Sequence, residues 1–164
     1  MNRIFRVMVV EDSETQAFKM RLLLEAEGCE VSTVATAESA LSELSQSPPD
    51  LVLVDYYLPG MLGDELCRRI RMNLNTRGLQ ILMLTAAEAG ETRGLESGAD
   101  DYVSKSASSD ILVLRIRALL RKVRAQAAIL NPRDSDFRRA RIMAIDDSPT
   151  HLEFPQGGVA RSRL

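Results

Sequence analysis

The stretch that decides the fold is residues 50–63, DLVLVDYYLPGMLG. Its four apolar residues Leu51–Val54 follow one another without alternation, which is typical of a central parallel strand covered on both faces. The run stops at Asp55, and the turn residues Pro59 and Gly60 follow. We therefore expect this carboxylate at the carboxyl edge of a sheet, where open α/β folds bind their ligands. A single Asp at such a place most often only caps the strand end or the turn, so its chemistry depends on its neighbours.

The size of the chain allows one domain with an appendage, because the chain has 164 residues and domains commonly run to about 100–150 residues. The hydrophobic share of 45% and the charged share of 27% are typical of a globular protein. No apolar run is long enough to cross a bilayer and no signal-peptide cleavage site is found, so we expect a cytoplasmic protein. Cys29 and Cys67 lie far apart and the chain has one His, which predicts reduced, half-buried thiols and no zinc site.

Charge is distributed unevenly along the chain. Residues 1–114 contain 10 basic and 18 acidic side chains, whereas residues 115–141 contain 9 basic and 2 acidic ones. The basic segment is compatible with a nucleic acid or an acidic partner, but it lacks interleaved aromatic residues. A solvated helix and linker is the favoured interpretation, and no nucleic-acid or membrane partner is expected.

The apolar patterns predict five alternations of strand and helix. The connections are too short for anything except right-handed parallel crossovers, so the predicted fold class is α/β, a doubly wound five-stranded parallel sheet. The strand order 2-1-3-4-5 suits five strands and places the ends of strands one and three side by side. The predicted strands are Ile4–Val10, Glu30–Ala35, Leu51–Asp55, Leu79–Leu84 and Asp101–Ser104; the predicted helices are a helix from the N-cap Ser13 to Gly28, then Ala37–Ser47, Asp64–Asn73, Glu88–Ser97 and 112–123.

Polar side chains stand at the ends of four of these strands. The acidic pair Glu11 and Asp12 follows the first strand, Asp55 ends the third, Thr85 comes at the end of the fourth, and Lys105 follows the fifth. Three neighbouring carboxylates repel one another unless a cation compensates them, and an all-oxygen cluster suits Mg²⁺ or Mn²⁺. A metal ion, a hydroxyl, an ammonium group and a carboxylate nucleophile together predict phosphoryl transfer to Asp55.

The placement of the whole set is more informative than any one of its residues. Each residue alone would more often be structural, but only ligand binding predicts that all of them end strands at the same sheet edge. Ala86, next to Thr85, is small enough to leave room for the phosphoryl group.

At these motifs the sequence resembles a known family, the response-regulator receiver domain of two-component and phosphorelay signalling. The resemblance covers about residues 4–124 and lies in VVEDSE (9–14), LVLVDYYLPGMLG (51–63), ILMLTA (81–86) and GADDYVSKS (98–106). It implies a flavodoxin-like, CheY-like fold in which Asp55 accepts a phosphoryl group from the phosphohistidine of a histidine kinase or phosphotransfer protein. It also implies that Glu11, Asp12, Asp55 and the main-chain carbonyl of Tyr57 surround Mg²⁺.

The resemblance further implies a conformational switch. In the family the Thr hydroxyl turns toward the phosphoryl group and an aromatic side chain turns inward, which here would be Thr85 and Tyr102. These movements remodel the face formed by the family's fourth helix, fifth strand and fifth helix, a face that could also form a homodimer. For Tyr102 the alternative of an ordinary half-exposed strand aromatic remains open.

Two positions depart from the family pattern. Lys105 is followed by Ser106, where the family usually has a proline after a cis peptide bond. Because a cis bond before a residue other than proline costs about 2.5–4 kcal/mol, we expect a trans bond and a less firmly held Lys105. Leu62 stands where an Asp is common, a change expected to be neutral. Neither position touches the acidic cluster, so competence for phosphorylation is expected to survive.

The C-terminal tail contains a partial repeat of the start of the chain. Residues 141–150, RIMAIDDSPT, repeat residues 6–15, RVMVVEDSET, and resemble the first strand of another receiver with Asp146 and Asp147 as its acidic pair. The 17 residues after Asp147 cannot complete that fold, which suggests a piece of a longer tandem-receiver or hybrid-kinase protein, or an altered reading frame. The expected organisation is a receiver at 1–125, a helix extension and linker at 126–140, and a poorly ordered incomplete second receiver at 141–164. The extension is either a linker helix or a dimer seam.

Three functions follow from these observations. The first is a receiver switched by phosphorylation of Asp55 that is not an enzyme acting on outside substrates. The second is a pseudo-receiver that only docks partners, an interpretation that Ser106 keeps open. The third is an aspartate-nucleophile phosphatase; such enzymes carry a second Asp two residues after the nucleophile, where this chain has Tyr57.

Overall fold

A computed structural model describes residues 3–86 and 98–130, with side chains as far as Ala127. The described strands and helices follow the predicted order, with most element ends displaced by a few residues and the last helix extended to Leu130. The predicted helix Glu88–Ser97 and the repeat at 141–150 lie outside the described residues, as does most of the predicted linker. The strands are β1 Arg6–Val10, β2 Glu30–Val34, β3 Leu51–Asp55, β4 Gln80–Thr85 and β5 Asp101–Ser104; the helices are α1 Glu14–Ala26, α2 Ala37–Gln46, α3 Gly63–Met72 and α4 Ser109–Leu130.

All five strands pair in parallel in the order β2-β1-β3-β4-β5, which confirms the predicted doubly wound sheet. In the central pair Val10 stands opposite Val54. Glu11 and Asp55, the residues that follow them, therefore leave the sheet side by side at its carboxyl edge. The register alone brings two carboxylates from distant parts of the chain together.

The central strand β3 is buried along its whole length. Val52 and Val54 pack into a cluster with α2 and α3, whereas Leu51 and Leu53 pack on the other face with α1 and α4. Since both faces are covered, neither set of alternating positions requires polar residues, which explains the uninterrupted apolar run. Full burial of each such side chain is worth about 1.5–3 kcal/mol, so β3 anchors both halves of the core.

Helix α1 begins and ends as its sequence predicts. Ser13 is the N-cap, and its hydroxyl accepts a hydrogen bond from the Gln16 N–H at 3.4 Å. Gly28 follows the helix with φ +80°, a left-handed conformation that glycine adopts without strain and that commonly ends helices. These two signals mark where α1 begins and ends.

The two thiols are more deeply buried than the predicted half-buried state. Both cysteines are free; Cys67 is fully enclosed by the α2–α3 cluster and Cys29 is 9% exposed. Burial raises the pKa of Cys67 to about 12 and also raises the pKa of Cys29. Both side chains are therefore neutral core residues at physiological pH.

Leu62 is the N-cap of α3, and its side chain makes no capping hydrogen bond. An Asp at this position, as is common in the family, would supply such an acceptor. Here the Asp64 carboxylate accepts the Glu65 N–H at 2.8 Å. One of the backbone N–H groups that have no partner within the helix is therefore hydrogen-bonded by a side chain of the first turn.

The start of α3 packs directly on the end of β3 at Gly63. The Gly63 N–H donates to the Tyr56 carbonyl at 2.8 Å. A Cβ atom at this position would lie 2.4 Å from the Asp55 carbonyl oxygen and 3.0 Å from the Cα of Tyr56. Because these are backbone atoms that cannot rotate away, only glycine fits here.

We predict that Gly63→Ala lowers the free energy of unfolding by about 1–3 kcal/mol, because the added methyl group displaces the backbone at Asp55. Urea unfolding at equilibrium measures the change. Gly78→Ala is the matched control, since a Cβ atom there has no neighbour within 4 Å and the substitution should be neutral or slightly stabilising. Equal stability of the two variants would contradict the close contact.

Candidate functional site

Three carboxylates meet at the carboxyl edge of the sheet. Glu11 and Asp12 follow β1 and Asp55 ends β3, and one oxygen from each lies within 4.8 Å of the others. Glu11 is 2% exposed and Asp55 is 3% exposed, whereas Asp12 is open to solvent. Two buried carboxylates with an exposed third at the entrance form a pocket of concentrated negative charge.

The Lys105 ammonium group bridges the two buried carboxylates. Its Nζ donates to Asp55 Oδ2 at 2.7 Å, to Glu11 Oε2 at 2.9 Å and to Gln16 Oε1 at 3.0 Å. Burial lowers the pKa of Lys105, but the hydrogen bonds and the negative charges of Asp55 and Glu11 outweigh that effect and raise its pKa above the ordinary value. Lys105 is therefore positively charged and compensates part of the buried negative charge.

The loop that carries Lys105 is held without proline. The described residues contain no cis peptide bond, so the bond to Ser106 is trans as expected. The Lys105 N–H donates to the Thr85 carbonyl at 2.7 Å, and the Ser106 N–H donates to Ser104 Oγ at 3.2 Å. The backbone and the ammonium group of Lys105 are both hydrogen-bonded, and a looser hold on Lys105 than a proline would give remains a prediction.

The Asp55 carboxylate is oriented from two sides. Its Oδ1 accepts the Tyr57 N–H at 3.3 Å, and its Oδ2 accepts Lys105 Nζ. The backbone just after it is tied to β4, since the Tyr56 N–H donates to the Leu84 carbonyl at 2.9 Å. Asp55 is thus fixed by the sheet itself rather than by a mobile turn.

Glu11 is oriented by the start of α1. The Ser13 N–H donates to Glu11 Oε1 at 3.2 Å, and the Glu11 N–H donates to the Val34 carbonyl of β2 at 3.0 Å. One carboxylate oxygen of Glu11 therefore faces the helix and the other faces Lys105.

The other predicted site residues surround this centre. Thr85 ends β4 and is 5% exposed, and its main-chain carbonyl accepts the Lys105 N–H. Ala86 follows it and is exposed. Tyr102 is half-buried on β5 and packs against the cluster that contains Met83. The structure therefore brings Glu11, Asp12, Asp55 and Lys105 together, and Thr85 is joined to Lys105 through the main chain. The Tyr57 carbonyl as a metal ligand and the switching role of Tyr102 remain predictions.

Two site residues were not found from the sequence. Gln16 is the third acceptor for Lys105, and Gly63 permits the close approach of α3 to Asp55. The available signal for Gln16 was its position in the first turn of a helix that starts beside the acidic pair. For Gly63 the signal was a glycine placed four residues after a turn, where a helix former would otherwise be expected.

The donor set fits a hard divalent cation. All three carboxylates offer oxygen atoms, and the exposed Asp12 gives a cation access from solvent. Mg²⁺ prefers such oxygen ligands and usually retains several waters, which the open side of this pocket permits. The single ammonium group of Lys105 leaves the cluster with excess negative charge, which favours cation binding.

The chain matches known proteins over most of its described part. The family model of the response regulator receiver domain matches residues 7–117. The chain is 44% identical over 123 residues to the phosphate regulon transcriptional regulatory protein PhoB of Rhizobium meliloti, covering 74% of this chain and 54% of PhoB. It is 42% identical over 118 residues to the sensory transduction protein RegX3 of Mycolicibacterium smegmatis, covering 71% of this chain and 50% of RegX3. The chain spans about half the length of these curated relatives.

Solved structures of the same fold agree with this assignment. A putative response regulator from Chloroflexus aurantiacus has a TM-score of 0.68 and 36% identity, covering 73% of this chain and 99% of the other. The signal receiver domain of a signal transduction histidine kinase from Syntrophus aciditrophicus has a TM-score of 0.67 and 27% identity, covering 86% and 98%. Among the described helices of the present chain, none is both long and apolar enough to span a membrane. The family match, the sheet order and the relatives together show that this chain belongs to the response regulator receiver domains of two-component systems.

Proposed function

We propose that this chain is a phosphoacceptor module in which Asp55 takes a phosphoryl group from the phosphohistidine of a histidine kinase or phosphotransfer protein. The observation that carries the proposal is the position of the Asp55 carboxylate, which ends a buried strand between the acidic pair and Lys105. In the reaction an Asp55 oxygen bonds to phosphorus, the P–N bond of the phosphohistidine breaks, and the released imidazole takes up a proton.

The neighbouring residues supply charge compensation and orientation. Lys105 places a positive charge within 2.7 Å of Asp55 Oδ2, where it offsets the charge that develops on the transferring group. The Tyr57 N–H keeps the carboxylate facing the pocket. Glu11, Asp12 and Asp55, with the Tyr57 carbonyl, would hold Mg²⁺, which when bound neutralises carboxylate and phosphoryl oxygens together.

We predict that incubation with Mg²⁺ and acetyl phosphate increases the mass of the intact chain by one phosphoryl group, and that Asp55→Asn abolishes the increase. Intact-mass spectrometry measures it, with EDTA as the metal-free control. Asp110→Asn is the matched variant, because it removes an exposed carboxylate from α4 and should leave the mass increase unchanged.

The same experiment separates the alternatives. A pseudo-receiver would gain no mass, and the intact Lys105–Asp55–Glu11 contacts argue against that function. A phosphatase would release more than one phosphate per chain from a phosphate monoester, and the exposed aromatic Tyr57 in place of a second Asp argues against it. We accordingly propose that the chain is not an enzyme acting on outside substrates.

We predict that Asp12→Asn weakens Mg²⁺ binding about ten-fold or more, because one of three anionic ligands loses its charge. Asp12 is exposed, so folding should be preserved. Calorimetric titration with Mg²⁺ measures the affinity. Glu14→Gln is the control, since it removes a neighbouring exposed charge outside the cluster; an equal loss in both variants would indicate a general charge effect instead of coordination.

We propose that phosphorylation acts through Thr85 and Tyr102 on the face that the family forms from its fourth helix, fifth strand and fifth helix. The described residues contain β5 and α4 of that face, and on α4 the side chain of Leu114 is 62% exposed. A homodimer through this face, or through the end of α4, remains a prediction. Helix α4 supports the second form because it continues to Leu130, beyond Leu120, the last buried residue among the side chains that the structure describes on this helix. The absence of a nucleic-acid partner and the cytoplasmic location also remain predictions.

We propose that the chain is part of a tandem-receiver or hybrid-kinase protein, a proposal supported by the repeat of residues 6–15 at 141–150. The genomic reading frame tests it. A complete second receiver motif set in frame after Asp147 is expected, and stop codons in every frame shortly beyond would contradict it.

A further inference from the structure

Gln16 has a side-chain contact that its place in the helix does not require. Ser13 and Gln16 have the Ser-x-x-Gln spacing of a capping box, in which the fourth residue's side chain returns to the N-cap N–H. Only half of that box forms, because the Gln16 N–H donates to Ser13 Oγ whereas the Ser13 N–H donates to Glu11 Oε1. The Gln16 side-chain oxygen instead accepts from Lys105 Nζ at 3.0 Å.

These contacts close a ring of four hydrogen bonds. Glu11 accepts from Ser13, Ser13 accepts from Gln16, Gln16 accepts from Lys105, and Lys105 also donates to Glu11. An ammonium group has three N–H donors, and the ring together with Asp55 provides an acceptor for each of them. The first turn of α1 therefore supplies, through Gln16, one of the three acceptors that fix the position and rotation of the lysine head.

The chemistry of the third acceptor is informative. Glu11 and Asp55 are carboxylates and proposed metal ligands, so they share their oxygens between Lys105 and a cation. Gln16 is an amide outside that ligand set, so its contact with Lys105 draws on no carboxylate oxygen of the cluster. It is the one of the three acceptors that is not also a proposed metal ligand.

Lysine needs such a support more than most residues. Its head is a point charge on a flexible four-carbon stem that carries about 2 kcal/mol of rotamer entropy. In this chain the lysine is followed by Ser106, and the loop is held by hydrogen bonds rather than by a proline ring. A contact from α1 reduces the orientations that the ammonium group samples before transfer.

We propose that Gln16 is a positioning residue for phosphoryl transfer, acting through the Lys105 ammonium group. The proposal rests on the proposed function of Asp55. It predicts that Gln16 affects the rate of phosphoryl transfer when the donor is saturating, and not the binding of the donor.

The test compares two substitutions of equal length. Gln16→Met removes the strong acceptor and should lower the phosphorylation rate at saturating acetyl phosphate about five-fold, as expected for one solvent-exposed hydrogen bond to a charged group. Gln16→Glu retains an acceptor oxygen and should keep the saturating rate within about two-fold of wild type. It should raise the half-saturating concentration, because the added charge repels the anionic donor.

A matched control and a second background make the result specific. Gln46→Met places the same substitution on the exposed end of α2 and should leave the rate unchanged. In a Lys105→Met background Gln16→Met should have no further effect, whereas a five-fold loss in both backgrounds would overturn the proposal. An unchanged saturating rate in Gln16→Met would overturn it as well.

A spectroscopic measurement on the unphosphorylated protein is independent of activity. In nitrogen-15 spectra of lysine ammonium groups, the Lys105 signal should be protected from exchange in wild type and Gln16→Glu, and broadened in Gln16→Met. Equal signals in all three would contradict the contact. If wild type gains no phosphoryl group while the spectra change as expected, the proposed function fails and the contact stands, so the two failures are distinguishable.

Discussion

The structure depends on the placement of one positive charge between two buried negative ones. Glu11 and Asp55 are almost fully enclosed at the sheet edge, and removing a carboxylate from water costs several kcal/mol unless it is paired and hydrogen-bonded. Lys105 pairs with both, and each carboxylate also accepts one backbone N–H, Glu11 from Ser13 and Asp55 from Tyr57. One ammonium group does not balance the three carboxylates, so the cluster keeps excess negative charge. This excess charge favours the binding of a cation.

The parallel sheet is what allows this arrangement. In a doubly wound sheet every strand ends at the same edge, so residues 11, 55, 85 and 105 reach one place although long stretches of chain separate them. The core is built to hold that edge still, since β3 is buried on both faces and α3 approaches the Asp55 backbone through Gly63. Rigid support of this kind limits the orientations that the Asp55 carboxylate can adopt.

Most of the candidate site was predictable because its residues are marked locally. Asp55 stands out because it ends an uninterrupted apolar run, and Glu11, Asp12, Thr85 and Lys105 each occupy a comparable strand end. The unpredicted parts lack such marks. Gln16 resembles an ordinary capping residue until Ser13 is seen to donate to Glu11 instead, and the depth of Cys67 depends on α2 and α3 closing over it.

The sequence by itself determined the order of elements, the parallel sheet and the edge at which the polar residues meet, because hydrophobic periodicity and short connections restrict the chain to few topologies. Only the tertiary structure decided which atoms pair within that edge. The contact between Gln16 and Lys105 joins positions 89 residues apart, and that between Glu11 and Lys105 joins positions 94 apart. Such pairings depend on strand register, helix direction and side-chain rotation to within about an ångström, which no local pattern encodes.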